Sequence, residues 1–161
     1  MTQMLVIGLA ILIGVIAGLR AFTAPAVVAW GAVLGWIDLD GKWSEWMAHP
    51  ITVTVLTILL LVELVTDQLP KTPSRKTAPQ FLTRLIMGAF AGAVIGSAFF
   101  HTFSAMGAGM IGAVLGTMAG AAARERLYDR NGRRDRPGAI LEDVIAVGGA
   151  FLIAYLVSLV G

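Results

Sequence analysis

Val62-Glu63-Leu64-Val65-Thr66-Asp67-Gln68-Leu69-Pro70-Lys71-Thr72-Pro73-Ser74-Arg75 decides how this chain is read. The stretch begins inside an apolar run long enough to cross a bilayer, carries carboxylates at Glu63 and Asp67, and breaks at Pro70 into a basic loop. A carboxylate near hydrocarbon is costly unless it is paired or put to use. The rest of the chain indicates what surrounds the two acids.

Composition sets the class. Of 161 residues, 57% are hydrophobic and only 14% charged, and the mean hydropathy is +0.81, well above an ordinary soluble domain. The expected fold is all-α: a polytopic transmembrane helix bundle of about five to six membrane segments, in one integral membrane domain over residues 1–161. The sequence pI near 9.4 does not point to nucleic acid, because the basic residues lie in short stretches between apolar runs, where the positive-inside rule places them. Cysteine is absent, which removes disulfides, thiolate metal sites and cysteine nucleophiles.

Residues Met4–Leu19 are apolar, but Thr2 and Gln3 supply no basic region ahead of them. The segment is expected to be retained rather than cleaved as a signal. The apolar block from Met4 to Ile37 holds one charge, Arg20, and is too long for one span yet short for two. Its break falls at Gly18–Pro25, with Thr23 as a helix cap and Pro25 in a first turn, where its missing N–H is harmless. Segments follow at 4–19 and 24–37. The polar connection Asp38–Pro50 contains Trp43 and Trp46 and follows Trp36; tryptophans favour the membrane–water boundary. Further segments are expected at 51–69, 85–103, 105–123 and 139–160, with basic stretches at Pro70–Arg84 and Arg124–Arg136. The connection around Ser104 is short enough to make the fourth and fifth an antiparallel hairpin. Gly88, Gly92 and Gly96, then Gly112, Gly116 and Gly120 extended backward by Ala108, recur every four residues. Such glycine-zipper stripes let helix backbones approach closely.

With both basic stretches in the cytoplasm and the acidic tryptophan connection outside, eleven of the twelve Lys and Arg lie inside and only Lys42 outside. Three segments then precede the first basic loop and three follow it, an arrangement that a 3+3 inverted repeat would produce. Gly14-xxx-Gly18 and Gly88-xxx-Gly92 open the two halves, and each third segment carries carboxylates.

Gly18-Leu19-Arg20-Ala21-Phe22-Thr23-Ala24-Pro25, then Glu63-Leu64-Val65-Thr66-Asp67-Gln68-Leu69-Pro70-Lys71-Thr72-Pro73, and finally Leu141-Glu142-Asp143 before an apolar helix, resemble the domain-of-unknown-function 4126 family of small bacterial integral membrane proteins. The resemblance covers nearly the whole chain in the same order. It implies a membrane location and a single domain, and carries no activity. The expected location is the bacterial inner membrane, with both basic loops cytoplasmic. The Glu63–Lys71 stretch also resembles the Glu-x-x-Asp-Lys/Arg signature of small cation transporters built from inverted three-helix repeats. Here the spacing is Glu-x-x-x-Asp, Gln68 takes the basic position, and no second copy is present.

Glu63 and Asp67, at i and i+4, share one helix face. With Glu142 and Asp143 they form a candidate site for a cation or proton, and Thr66 could add an oxygen ligand for a hard cation. Alternatively these acids are neutralised by Arg20, Lys71 or Arg84, or cap helix ends at the wet boundary. Arg20 is either an anion ligand or a counter-charge, with Asp67 or Glu142 as partner. His101 and His49 stand apart from any metal-ligand spacing, and no phosphate loop, dinucleotide fingerprint or hydrolase elbow is present.

The chain is thus expected to be a small inner-membrane transporter or channel for a cation or proton, not an enzyme, with no cofactor. Its expected partners are the lipid bilayer and further copies of itself, and no nucleic acid. A non-catalytic scaffold or accessory subunit packing through glycine-rich faces is the competing expectation. The topology predicts that cysteines placed at Lys76 and Arg133 resist membrane-impermeant thiol reagents in intact cells and react after permeabilisation; labelling of intact cells would reverse the assignment.

Overall fold

Hydrocarbon offers no partner to an unpaired peptide group, so apolar runs of this length close their hydrogen bonds internally as helices. The structure, a computed structural model, describes residues 3–67, 77–130 and 136–160, where every regular element is helical. In order these are α1 (Gln3–Leu19), α2 (Thr23–Val33), a 3-10 turn (Glu45–Ala48), α3 (Pro50–Thr66), α4 (Ala78–Ala98), α5 (Thr102–Arg130) and α6 (Arg136–Val160). Leu69, the Pro70–Lys76 part of the first basic loop and the Asn131–Asp135 part of the second lie outside the described residues.

Three stretches, Ala78–Ala98, Thr102–Arg126 and Gly138–Val160, are long and apolar enough to cross a membrane. The protein is accordingly membrane-embedded. α1 and α3, at 17 residues each, reach about 26 Å, the short end of what spans a bilayer. α2 is shorter than the expected 24–37. Gly35 takes the left-handed backbone (φ 73°), and the N–H groups of Trp36 and Ile37 both return to the Gly31 carbonyl, which ends the helix and tucks Ile37 into the core. α4 begins seven residues ahead of the expected 85. Pro79 sits in its first turn behind an extended Thr77, so Arg84 belongs to a helix and not to the basic loop. The α4–α5 turn falls at Phe99–His101 instead of Ser104, with Phe100 at φ 61°.

Glycines set the packing. A Cβ at Gly14 would fall on the Gly109 backbone, one at Gly18 on Ala113 and Thr117, and one at Gly116 on Val15. Numbers rise together, so α1 and α5 run parallel. Gly88 meets Gly109 and Ala113, Gly92 meets Ala105, and Gly96 meets His101 and Ala105; those numbers run oppositely, and α4 and α5 form an antiparallel hairpin. Gly109 lies against both α1 and α4 while Gly112 and Gly116 serve α1, and Gly120 is buried. The two three-helix halves pack differently, since α1 and α2 share far fewer contacts than α4 and α5 do.

α6 closes the other side through Gly149 against Ile16 and Gly31 against Ala154. α3 is peripheral, joined to α2 by a bond from Trp30 Nε1 to Thr57 Oγ1 (3.0 Å). At one end of the bundle the tryptophan connection folds onto α4: the Ser44 and Ser97 hydroxyls meet at 2.6 Å, Trp43 and Trp46 stack near Phe90, and Lys42 lies 3.5 Å above the Phe100 ring. The opposite end gathers the α1–α2 reversal, the end of α3 and the starts of α4 and α6.

Gly112→Ala places a methyl on the Ile11 carbonyl and is expected to destabilise by about 1–3 kcal/mol. Gly107→Ala, in the same helix with open space around it, should stay within about 0.5 kcal/mol of the parent. Thermal melts in detergent check the difference between the two.

Candidate functional site

Between α1 and α2 the chain reverses in three residues, Arg20, Ala21 and Phe22. The last carbonyls of α1 and the first N–H groups of α2 then lack intrahelical partners, and they lie inside protein. Side chains from three other helices satisfy them. Arg84 Nη1 donates to the Gly18 and Leu19 carbonyls, each at 2.6 Å. The Thr117 hydroxyl contacts the Gly18 carbonyl at 3.2 Å and the Ala113 carbonyl at 2.8 Å. Glu63 accepts the Ala21 N–H at Oε1 (2.6 Å) and the Phe22 N–H at Oε2 (2.9 Å). A cation thus meets the negative end of one helix dipole and an anion the positive end of the next. Thr23, the expected cap, is already helical, and its buried hydroxyl has no hydrogen-bond partner. The cap comes from α3.

Arg20 is completely buried and ties α3 a second time, and α6 as well, to the reversal. Its Nη1 pairs with Asp67 Oδ2 at 2.6 Å and lies 3.4 Å from the Glu63 carbonyl, while Nη2 pairs with Asp143 Oδ1. Asp67 also stands 3.8 Å from Arg84 Nη2. The structure therefore gives Arg20 the partners Asp67 and Asp143; Glu142, the other expected partner, stands 3.8 Å from Arg124. Burying two guanidinium groups is unfavourable unless each finds charge or carbonyl partners, and both do. Counted along their helices, Arg84 and Asp143 lie six and seven residues past the starts of α4 and α6, about 9–10 Å inward.

The four predicted acids gather at one end of the bundle without converging on one point. Glu63 is buried on the reversal, Asp67 and Asp143 flank Arg20, and Glu142 turns to Arg124. Among the described residues no group of three His, Asp or Glu side chains is placed to hold a metal ion, and Glu63 forms no ion pair. His49 caps α3, its Nδ1 accepting the Ile51 N–H at 3.3 Å, and His101 lies in the α4–α5 turn at the far end. Arg84, expected as a possible counter-charge for the acids but in the basic loop, stands near Asp67 from within α4. Pro79, a helix-start signal five residues upstream, was the sign that Arg84 is helical.

Beside this cluster, between the second half of α3 and the first turns of α4, lies a pocket of about 340 Å³. Phe22, Leu59, Val62 and Pro79 supply apolar wall; Glu63, Thr66, Asp67, Gln80 and Thr83 supply polar groups. Four of the ten lining residues belong to the Val62–Arg75 stretch.

Fold and site together define a membrane-embedded, all-helical protein with a buried arginine–carboxylate cluster at a chain reversal. The chain belongs to the family described as Domain of unknown function (DUF4126), whose model matches residues 7–160, in agreement with the resemblance of its three motifs. No curated protein and no solved structure matches it.

Arg20→Met leaves Asp67 and Asp143 without their shared cation and is expected to destabilise by about 3–5 kcal/mol. Adding Asp67→Asn should recover more than about 1 kcal/mol of that loss. Denaturation of the single and double variants in detergent measures the coupling, and a coupling near zero would show that the ion pair does not hold the reversal.

Proposed function

We propose that the protein is a small transporter or channel for a cation or proton, with its acidic site toward the cytoplasmic side. The observation that carries this is that Glu63 and Asp67, both largely buried, line a pocket between α3 and α4. Carboxylates in such positions mark ion or proton pathways more often than structural pairs. In this reading Glu63 and Asp67 face the permeating species, Arg20 holds Asp67 and Asp143 as counter-charge, and Glu142 lies at the edge of the site. That no group of three His, Asp or Glu side chains among the described residues is placed to hold a metal ion favours a monovalent species over a chelated divalent ion. A bundle this small encloses little space alone, so the working unit is an oligomer.

The scaffold reading needs glycine faces free to receive partner helices. Gly88, Gly92, Gly96, Gly112 and Gly116 are instead occupied by neighbouring backbone within the chain, which favours transport. No catalytic role is proposed.

The test is flux into vesicles reconstituted with the full chain, measured for protons, inorganic monovalent and divalent cations and small organic cations. Flux above empty vesicles is expected, reduced at least tenfold in Glu63→Gln reconstituted to equal density. Flux of none of these species would overturn the proposal.

A further inference from the structure

The pocket beside Glu63 is shaped for more than a proton or a bare ion. Its volume of about 340 Å³ falls in the range of small-molecule sites, and no group of three His, Asp or Glu side chains among the described residues is placed to hold a metal ion. Among the described residues, the charged side chains that line it are Glu63 and Asp67. Asp67 is engaged by Arg20 and approached by Arg84, whereas Glu63 forms no ion pair among the described residues and accepts the Ala21 and Phe22 N–H groups. Those two bonds fix its carboxylate, and Glu63 is part of the pocket lining. Phe22, Leu59 and Val62 make one part of the wall apolar, and Thr66, Asp67, Gln80 and Thr83 make the other part polar. An aromatic residue and a carboxylate in one lining suit an ammonium head, and the aliphatic part suits the apolar body behind it.

We infer that this pocket binds a monovalent organic ammonium compound, its head against Glu63 and Phe22 and its apolar body along Leu59 and Val62. α3 and α4, which flank the pocket, are not packed along each other among the described residues. The inference rests on the reading of Glu63 as a cation ligand in a transport site and names the chemical class of its substrate. The same ammonium chemistry is offered by soluble amines and by aminophospholipid headgroups.

Binding of radiolabelled benzyltrimethylammonium to the purified full chain in uncharged detergent tests this by equilibrium dialysis. Saturable binding is expected, with the neutral isostere neopentylbenzene displacing the probe at least tenfold less well. Glu63→Gln should weaken binding at least tenfold. Leu59→Trp, which fills the pocket and leaves every charged group in place, should abolish it and decides the matter if Glu63→Gln does not fold. Displacement by phosphatidylethanolamine but not phosphatidylglycerol would assign the site to a lipid headgroup, and displacement by neither to a soluble amine. The inference is overturned by no saturable binding, by equal displacement with the neutral isostere or with both lipids, or by full binding in Leu59→Trp. Glu63-dependent flux of protons or inorganic cations without probe binding overturns this inference alone; probe binding without flux of any species overturns the transport reading alone.

Discussion

A chain that reverses direction inside an apolar bundle leaves carbonyls on one side of the turn and N–H groups on the other, with no water to receive them. The structure depends on how that demand is met at Arg20–Phe22. Arg84 answers the carbonyls of Gly18 and Leu19, and Glu63 answers the N–H groups of Ala21 and Phe22. Neither charge would be tolerable alone at this depth, and neither helix end would be satisfied without it. Two unfavourable burials offset each other across one turn of chain.

Arg20 extends the same logic outward. Because it stands at the reversal itself, its pairs with Asp67 and Asp143 fasten the last turn of α3 and the second turn of α6 to the α1–α2 junction. The two aspartates belong to helices that otherwise pack little on each other. α6 also packs on α1 and α2 through Gly149 against Ile16 and Gly31 against Ala154, and α1, α4 and α5 are joined by glycine contacts in which backbone meets backbone. Close packing builds the bundle, and charge ties its helices together at one end. The pocket lies beside that charged end, between α3 and α4.

This arrangement bears on function because the carboxylates differ in what they have left to offer. Asp67 and Asp143 are committed to a guanidinium, and Glu142 stands near Arg124. Glu63 forms no ion pair among the described residues, accepts two backbone N–H groups and lines the pocket. In the proposed reading, ligand at Glu63 and capping of α2 would share one carboxylate.

Much of this protein was legible in its residues. Apolar runs separated by basic stretches dictate a helical membrane protein, since hydrocarbon permits little else, and the isolated Arg20 within an apolar block marked the reversal. Glu63 and Asp67 stood out because charge in such a run demands a reason. Tertiary structure decided the partners. Helical periodicity places Glu63 and Asp67 on one face but does not say that the first would serve backbone N–H groups 41 and 42 residues away and the second an arginine 47 away. Nor does it say that Asp143, and not its neighbour Glu142, would reach Arg20, because that choice is set by the rotation of α6 against α1 through Gly149 and Ile16. Residue type and position determined which groups had to be neutralised; only the packing of distant helices determined by what.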